Sequence, residues 1–154
     1  DEPTTGVDPV SRADLWSLIA RAAAEGAAVV FSTSYLDEAE RAAHVLVLAE
    51  GRELAAGAPG QIAAAMPGRL EVAGTRPAGP AGARSWRRDG RWRVWRPEGD
   101  GDAAGGSGDP VQPDLQDAVT VAILARELAR DPEGGREGGR EGDPGWAPSA
   151  REGR

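Results

Sequence analysis

The sequence predicts an α/β protein, on the basis of three features of its first half. Residues 10–25 carry apolar side chains three, four and seven positions apart, which places them on one face of a helix. Residues 27–31 form a short, continuous apolar run with β-branched members, the pattern of a strand buried on both faces. A strand that follows a helix so closely makes an α/β unit, most simply part of a parallel sheet.

The first helix has a clear beginning and end. Asp8 suits the N-cap, and Pro9 suits the first helical position, where its missing N–H costs nothing. Gly26 offers the left-handed conformation that ends many helices. The predicted apolar face consists of Leu15, Leu18, Ile19 and Ala22.

A second helix is predicted to begin with residues 35–40. Ser34 with Asp37 approximates a capping box, and the acidic residues near the start suit the helix dipole. The elements predicted after it are a strand at 45–48, a tight turn at 50–52, a partner strand at 53–56 and a short helix at 60–66.

The sequence of the second half of the chain predicts a small extension that contains β-structure. In residues 85–97 tryptophans alternate with arginines around Asp89-Gly90, which predicts a β-hairpin with a type I′ turn. Residues 99–113 resemble a linker, and helical periodicity returns over 114–130. The helix face there comprises Leu115, Val119, Ala122, Ile123 and Leu128. The Gly-, Glu- and Arg-rich segment 131–154 is predicted to be a disordered tail.

Composition narrows the classes of function. The net charge of −7 argues against nucleic acid as a partner, because phosphate binding needs clustered positive charge. The chain has no Cys, which excludes disulfides and thiolate metal sites. No apolar run approaches the roughly 18–20 residues that span a bilayer. Since residue 1 is not Met and Met66 is the only methionine, we expect a chain that lacks its start.

Two motifs carry a family resemblance. Residues 1–9, Asp-Glu-Pro-Thr-Thr-Gly-Val-Asp-Pro, closely resemble the Walker B end and D-loop of ABC-type ATPases, usually DEPTxGLDP. Residues 29–40, VVFSTSYLDEAE, resemble the H-loop region of that family, commonly VxxSTHxxDEAE. An acidic turn with a helix N-cap is the alternative interpretation of the first motif.

The resemblance implies roles for three acidic residues. Asp1 matches the carboxylate that helps hold Mg²⁺, usually through the water shell of the ion. Glu2 matches the general base, or water-positioning carboxylate, for ATP hydrolysis. Asp8 matches the D-loop aspartate, although its role as a helix cap would explain it equally well.

The sequence departs from the family at the switch histidine, whose position is taken by Ser34. Serine is shorter and uncharged, and loss of one donor at a developing charge costs on the order of 10²–10³-fold in rate. The hypothesis is therefore an ATP site that turns over slowly, and the alternative is a plain helix cap. The sole histidine, His44, is expected at the head of the next strand, on the surface, with no catalytic role.

The Arg/Trp hairpin admits two interpretations. Interleaved basic and aromatic residues can stack on nucleic acid bases. ABC exporter subunits, however, commonly carry a β-containing extension that closes with a segment like P-x-L-E-D-x-F, which residues 113–119 resemble. The structural extension is the preferred interpretation.

The resemblance as a whole implies the C-terminal part of the ATP-binding subunit of an ABC exporter of the drug-resistance type. The expected fold is a partial P-loop NTPase nucleotide-binding domain at 1–68, followed by the extension at 69–130 and the tail at 131–154. The implied partners are ATP, Mg²⁺, a second nucleotide-binding domain and a transmembrane permease at the cytoplasmic face of the membrane. Because the chain has no G-x-x-x-x-G-K-[ST] loop, we expect it neither to bind nor to hydrolyse ATP by itself. The competing hypothesis is a non-catalytic remnant, or the first half of a fused two-ATPase chain, with an interaction or regulatory role.

Overall fold

A computed structural model describes residues 1–99 and 108–130. The chain divides into two units, Asp1–Met66 with Pro113–Thr120 and Pro67–Gln112 with Val121–Arg154. Both α-helices and β-strands are present, as predicted. The elements are α1 (Pro9–Ala24), α2 (Leu36–Ala39), β1 (Val45–Ala49), β2 (Arg52–Gly57), α3 (Pro59–Ala64), β3 (Arg69–Ala73), α4 (Pro80–Ala83), β4 (Ser85–Arg88), β5 (Arg91–Arg96), β6 (Asp109–Val111) and α5 (Leu115–Arg130).

Helix α1 begins and ends as predicted. The Asp8 carboxylate accepts hydrogen bonds from the backbone N–H groups of Val10 and Ser11, at 3.0 and 3.1 Å. Gly26 has a φ of +97°, the left-handed conformation expected just beyond the helix. The predicted apolar face is only partly correct, because Leu18 is 59% exposed and the buried residue of α1 is Trp16.

The predicted buried strand at 27–31 is wrong. This segment has no regular secondary structure, and Val30 is 95% exposed. A strand needs a neighbour to take up its backbone hydrogen bonds, and the described residues place no strand beside this run. The Phe31 ring packs 5.1 Å from that of Trp16, in an edge-to-face contact.

Helix α2 has only four residues, and its proposed capping box does not form. Its N-cap residue is Tyr35, which makes no side-chain cap hydrogen bond. The N–H of Ser34 instead donates to Glu2, and the N–H of Tyr35 donates to the hydroxyl of Thr33. Ser34 is therefore hydrogen-bonded through its backbone to the start of the chain rather than to its own helix.

The β1–β2 hairpin confirms the predicted strand pair. The two strands are antiparallel, from Val45 opposite Gly57 to Ala49 opposite Arg52. The core of this unit consists of Val45, Ile62, Leu115, Ala118 and Val119. The described sheets are both antiparallel, so the expectation of a parallel sheet is not met within the part of the chain that the structure describes.

The second unit contains a four-stranded sheet in the order β4-β5-β3-β6. The predicted hairpin is confirmed: Asp89 and Gly90 have φ values of +51° and +77°, as a type I′ turn requires. Strand β3 lies outside the predicted elements, and β6 falls in the predicted linker. Both acquire strand structure by pairing, β3 with β5 on one side and with β6 on the other.

The predicted final helix is confirmed as α5, with Leu115 and Val119 buried and Ile123 40% exposed. The predicted tail, and most of the predicted linker, lie outside the described residues. Among the residues that are described, no helix is both long enough and apolar enough to cross a bilayer.

Candidate functional site

The candidate site is built from two loops of the first unit. The carboxylate loop, residues 1–5, precedes α1, and the hydroxyl loop, residues 32–34, precedes α2. A backbone hydrogen bond joins the two loops: the N–H of Glu2 donates to the carbonyl of Ser32 at 2.8 Å. Two motifs separated by about thirty residues in sequence therefore meet in space.

Glu2 lies at the centre of this contact. Its Oε1 accepts the backbone N–H of Ser34 at 2.9 Å, and its Oε2 accepts the hydroxyl of Thr5 at 3.1 Å. The Glu2 backbone has a φ of +46°, a conformation that non-glycine residues rarely adopt. Such strain persists where surrounding contacts impose it, and it is typical of functional sites.

Asp1 and the hydroxyl loop share a second contact. The Ser32 hydroxyl donates to Oδ1 of Asp1, and both residues are exposed. An exposed carboxylate is a suitable ligand for a hard cation that keeps several of its waters. In the described residues, no group of three or more His, Asp or Glu side chains could hold a metal ion by itself.

A buried carboxylate, that of Glu38, is hydrogen-bonded to both loops. It accepts hydrogen bonds from the hydroxyls of Thr4 and, at 2.8 Å, of Thr33. The exposed fractions of Glu38 and Thr4 are 1% and 0%. In the sequence, Glu38 is one of the acidic residues near the start of α2 that suit the helix dipole. Only burial distinguishes it from its acidic neighbours, and burial is not visible in a sequence pattern.

Of the remaining predicted residues, Asp8 and His44 are not among the hydrogen-bond partners in this contact, and Ser34 contributes its backbone. The Asp8 carboxylate accepts its hydrogen bonds from the start of α1. The Ser11 hydroxyl, with the largest effect, and then the Ser11 N–H hold the pKa of Asp8 below its usual value of 3.8. Ser34 is exposed, and its backbone N–H rather than its side chain contacts Glu2. His44 is exposed immediately before β1, as predicted for a strand-end histidine.

A strained glutamate and a neighbouring aspartate, fixed against a serine- and threonine-rich loop, are an arrangement suited to holding and orienting polar groups of a ligand. Over part of its length the chain is homologous to ATP-binding proteins of ABC transporters. No protein-family model matches the chain, and no solved structure matches it.

Three relatives illustrate the homology. The probable multidrug ABC transporter ATP-binding protein YbhF of Escherichia coli is 48% identical over 69 residues, 45% of this chain and 12% of that protein. The Nod factor export ATP-binding protein I of Paraburkholderia xenovorans is 43% identical over 65 residues, 42% of this chain and 21% of that protein. The daunorubicin/doxorubicin resistance ATP-binding protein DrrA of Streptomyces peucetius is 41% identical over 63 residues, 40% of this chain and 19% of that protein. The matched segment thus spans between about an eighth and a fifth of each relative.

Proposed function

We propose that this chain is part of the ATP-binding and ATP-hydrolysing subunit of an ABC exporter. The observation that carries the proposal is the hydrogen bond from the Ser34 N–H to the Glu2 carboxylate. It joins the two motifs on which the family resemblance rests, at the residues to which the resemblance assigns the hydrolytic roles. The homology to ATP-binding proteins of exporters supports the same function.

In this proposal Glu2 orients the water that attacks the γ-phosphate and accepts its proton. The bonds from Ser34 and Thr5 fix the carboxylate before substrate arrives, so that no reorganisation is needed during the reaction. Asp1 contributes to holding Mg²⁺ through the water shell, together with phosphate oxygens. Bound Mg²⁺ would neutralise charge on the transferred phosphoryl group.

Ser34 defines the catalytic capacity of the proposed site. Its hydroxyl is uncharged and short, whereas the histidine usual at this position in the family reaches the γ-phosphate. Because the serine side chain is short, it would reach phosphate only through water. We therefore propose a site that binds nucleotide in the complete subunit and hydrolyses it slowly.

The complete subunit would have the P-loop NTPase fold, of which residues 1–68 form the C-terminal part. Residues 69–130 would be an extension, and 131–154 a tail. ABC ATP-binding subunits act in pairs, and Asp8 lies in the D-loop that would face a second nucleotide-binding domain. A transmembrane permease would hold the subunit at the cytoplasmic face of the membrane and carry the substrate.

Restoring the histidine tests the proposal. In the complete subunit we expect Ser34→His to raise ATP turnover, by up to roughly 10²-fold, because it adds a donor at the developing phosphate charge. Steady-state phosphate release measures the effect. Ser17→His is a matched control, since Ser17 is exposed and its hydroxyl donates to the carbonyl of Ala13 within α1.

A second variant distinguishes the alternative function. Glu2→Gln should abolish the residual turnover without weakening nucleotide binding, because it removes the proton acceptor alone. The presence of serine instead of histidine at position 34 favours the alternative function, a non-catalytic module with an interaction or regulatory role. Turnover insensitive to both Ser34→His and Glu2→Gln would reject the ATPase in favour of that module.

A further inference from the structure

Glu38 is a fully buried acidic side chain to which the proposed chemistry assigns no role. It lies on α2, a helix of only four residues, and is 1% exposed. A buried carboxylate is unfavourable unless hydrogen bonds compensate the loss of water. Its described partners are two neutral hydroxyls, Thr4 and Thr33, one on each oxygen. An apolar residue in the same space would leave both hydroxyls without this acceptor, so Glu38 is to be understood together with Thr4 and Thr33.

The two hydroxyls belong to the two loops of the candidate site. Thr4 lies two residues after Glu2, and Thr33 lies one residue before Ser34. A single carboxylate thus connects the loops directly beside the atoms that form the Glu2–Ser34 hydrogen bond. The Thr33 hydroxyl also accepts the N–H of Tyr35, at 3.1 Å, so its donated proton is directed towards Glu38. Both hydroxyls are committed to these partners.

We propose that Glu38 is a positioning residue, which sets the separation of the carboxylate loop and the hydroxyl loop and thereby the orientation of Glu2. The inference rests on the proposed function, because the orientation of Glu2 matters for hydrolysis only where Glu2 directs the attacking water. A carboxylate is required because both of its oxygens accept. An amide retains one acceptor oxygen and leaves one buried hydroxyl proton without an acceptor.

Amide hydrogen exchange, followed by NMR on this chain, tests the connection without nucleotide. In Glu38→Gln we expect the amides of Ser34 and Glu2 to exchange roughly three- to tenfold faster, the effect of losing one hydrogen bond. The amides of the β1–β2 hairpin should keep their rates, which shows that the unit remains folded. Glu40→Gln is the matched control, since Glu40 follows α2 directly and is exposed.

The Thr33 hydroxyl provides an independent pair of variants, which decides the question even where Glu38→Gln fails to fold. Thr33→Val removes the hydroxyl at nearly constant volume and should give the same acceleration. Thr33→Ser keeps the hydroxyl and should restore the slow exchange. Unchanged exchange at Ser34 and Glu2 in folded Thr33→Val or Glu38→Gln would overturn the proposal.

A kinetic measurement on the complete subunit separates positioning from a merely structural role. We expect Glu38→Gln to lower kcat for ATP roughly ten- to hundredfold through misplacement of Glu2, with KM within about twofold of the wild-type value because phosphate binding is untouched. Faster exchange with unchanged kcat would overturn the positioning role and leave the contacts standing. Absence of ATPase activity in the wild type would reject the proposed function instead, and the positioning role with it. The exchange result would then report the contacts alone.

Discussion

Short polar side chains and the backbone make the described contacts between the two loops of the candidate site. Serine and threonine have few rotatable bonds, so fixing them costs less conformational entropy than fixing a lysine or an arginine. The Glu2 carboxylate is held by the Ser34 N–H and the Thr5 hydroxyl, and the Glu2 N–H is held by Ser32. The backbone therefore dictates where this carboxylate lies, which suits a group that must be oriented before its substrate binds.

Asp8 gives a pH-dependent prediction at the same scale. Its pKa in the folded chain is lowered, chiefly by the Ser11 hydroxyl and then by the Ser11 N–H, from the usual value of 3.8. A lowered carboxylate pKa stabilises the folded state fully above the unfolded-state value, and the contribution is lost as pH falls through the lower folded-state value. We expect Asp8→Ala to lower the melting temperature at neutral pH, and the difference from wild type to shrink in acid below pH 3.8.

Circular dichroism measures the melting temperatures, and two further variants serve as controls. Asp8→Asn keeps a side-chain oxygen for the cap, so it should retain most of the stability and lose the pH dependence. Asp14→Ala removes an exposed acid from α1 without touching the cap, and its difference from wild type should not follow the same curve. An Asp8→Ala difference that grows in acid would contradict the assignment.

At the scale of elements, the sheet of the second unit depends on a close approach between its strands. Gly68 lies directly before β3 and has a φ of +76°. A Cβ atom there would lie 2.1 Å from the carbonyl oxygen of Arg96, at the end of β5. In the pairing of β3 with β5, Glu71 lies opposite Val94 and diagonally from Arg96. The buried side chains of Glu71 and Arg96 form an ion pair at 3.2 Å. Glycine at position 68 therefore permits both the turn and the pairing.

Gly68→Ala should destabilise the fold more than a glycine substitution with the same backbone strain alone. Gly90 has a φ of +77° and open space where its Cβ would lie, so Gly90→Ala should cost about 1–2 kcal/mol. Gly68→Ala should cost about 1–3 kcal/mol more, because the Arg96 carbonyl must move. Urea unfolding followed by tryptophan fluorescence measures both variants. Equal losses of unfolding free energy in the two variants would show that the close approach at Gly68 contributes nothing to the cost of the substitution.

At the scale of the whole molecule, each unit has its own buried core. The first unit buries Val45, Ile62 and Leu115. The second buries Leu70, Val94 and Trp95, and the indole N–H of Trp95 donates to the carbonyl of Pro67 at 2.8 Å. The proposed catalytic residues all lie in the first unit.

The whole chain gives one further prediction. Phosphate binding in P-loop ATPases requires a G-x-x-x-x-G-K-[ST] loop, and this sequence contains no such loop and no lysine. We therefore expect the 154-residue chain by itself to show no micromolar affinity for MgATP in a calorimetric titration. A complete subunit that includes the loop is the positive control. Micromolar binding of MgATP by the chain alone would contradict the proposal that nucleotide binding needs the phosphate-binding loop of the complete subunit.

The sequence alone determined the features that depend on local chemistry or on a specific motif. The Asp8 cap, the Gly26 stop and the Asp89-Gly90 turn are local, because each needs only a residue with the right side chain or the right φ. The homology to ABC transporter ATP-binding proteins was likewise visible in the motifs of residues 1–9 and 29–40.

Tertiary structure decided whatever depends on partners distant in sequence. Residues 27–31 have a strand's composition but no strand beside them in the described chain, whereas β3 became a strand by pairing with β5 and β6. Ser34, expected to cap its own helix, instead donates its N–H to Glu2, 32 residues away. Glu38 is the clearest case, because its burial between Thr4 and Thr33 follows only once both loops have met. Hydrogen bonding satisfies buried groups wherever a partner lies in space, and sequence periodicity carries no record of that partner.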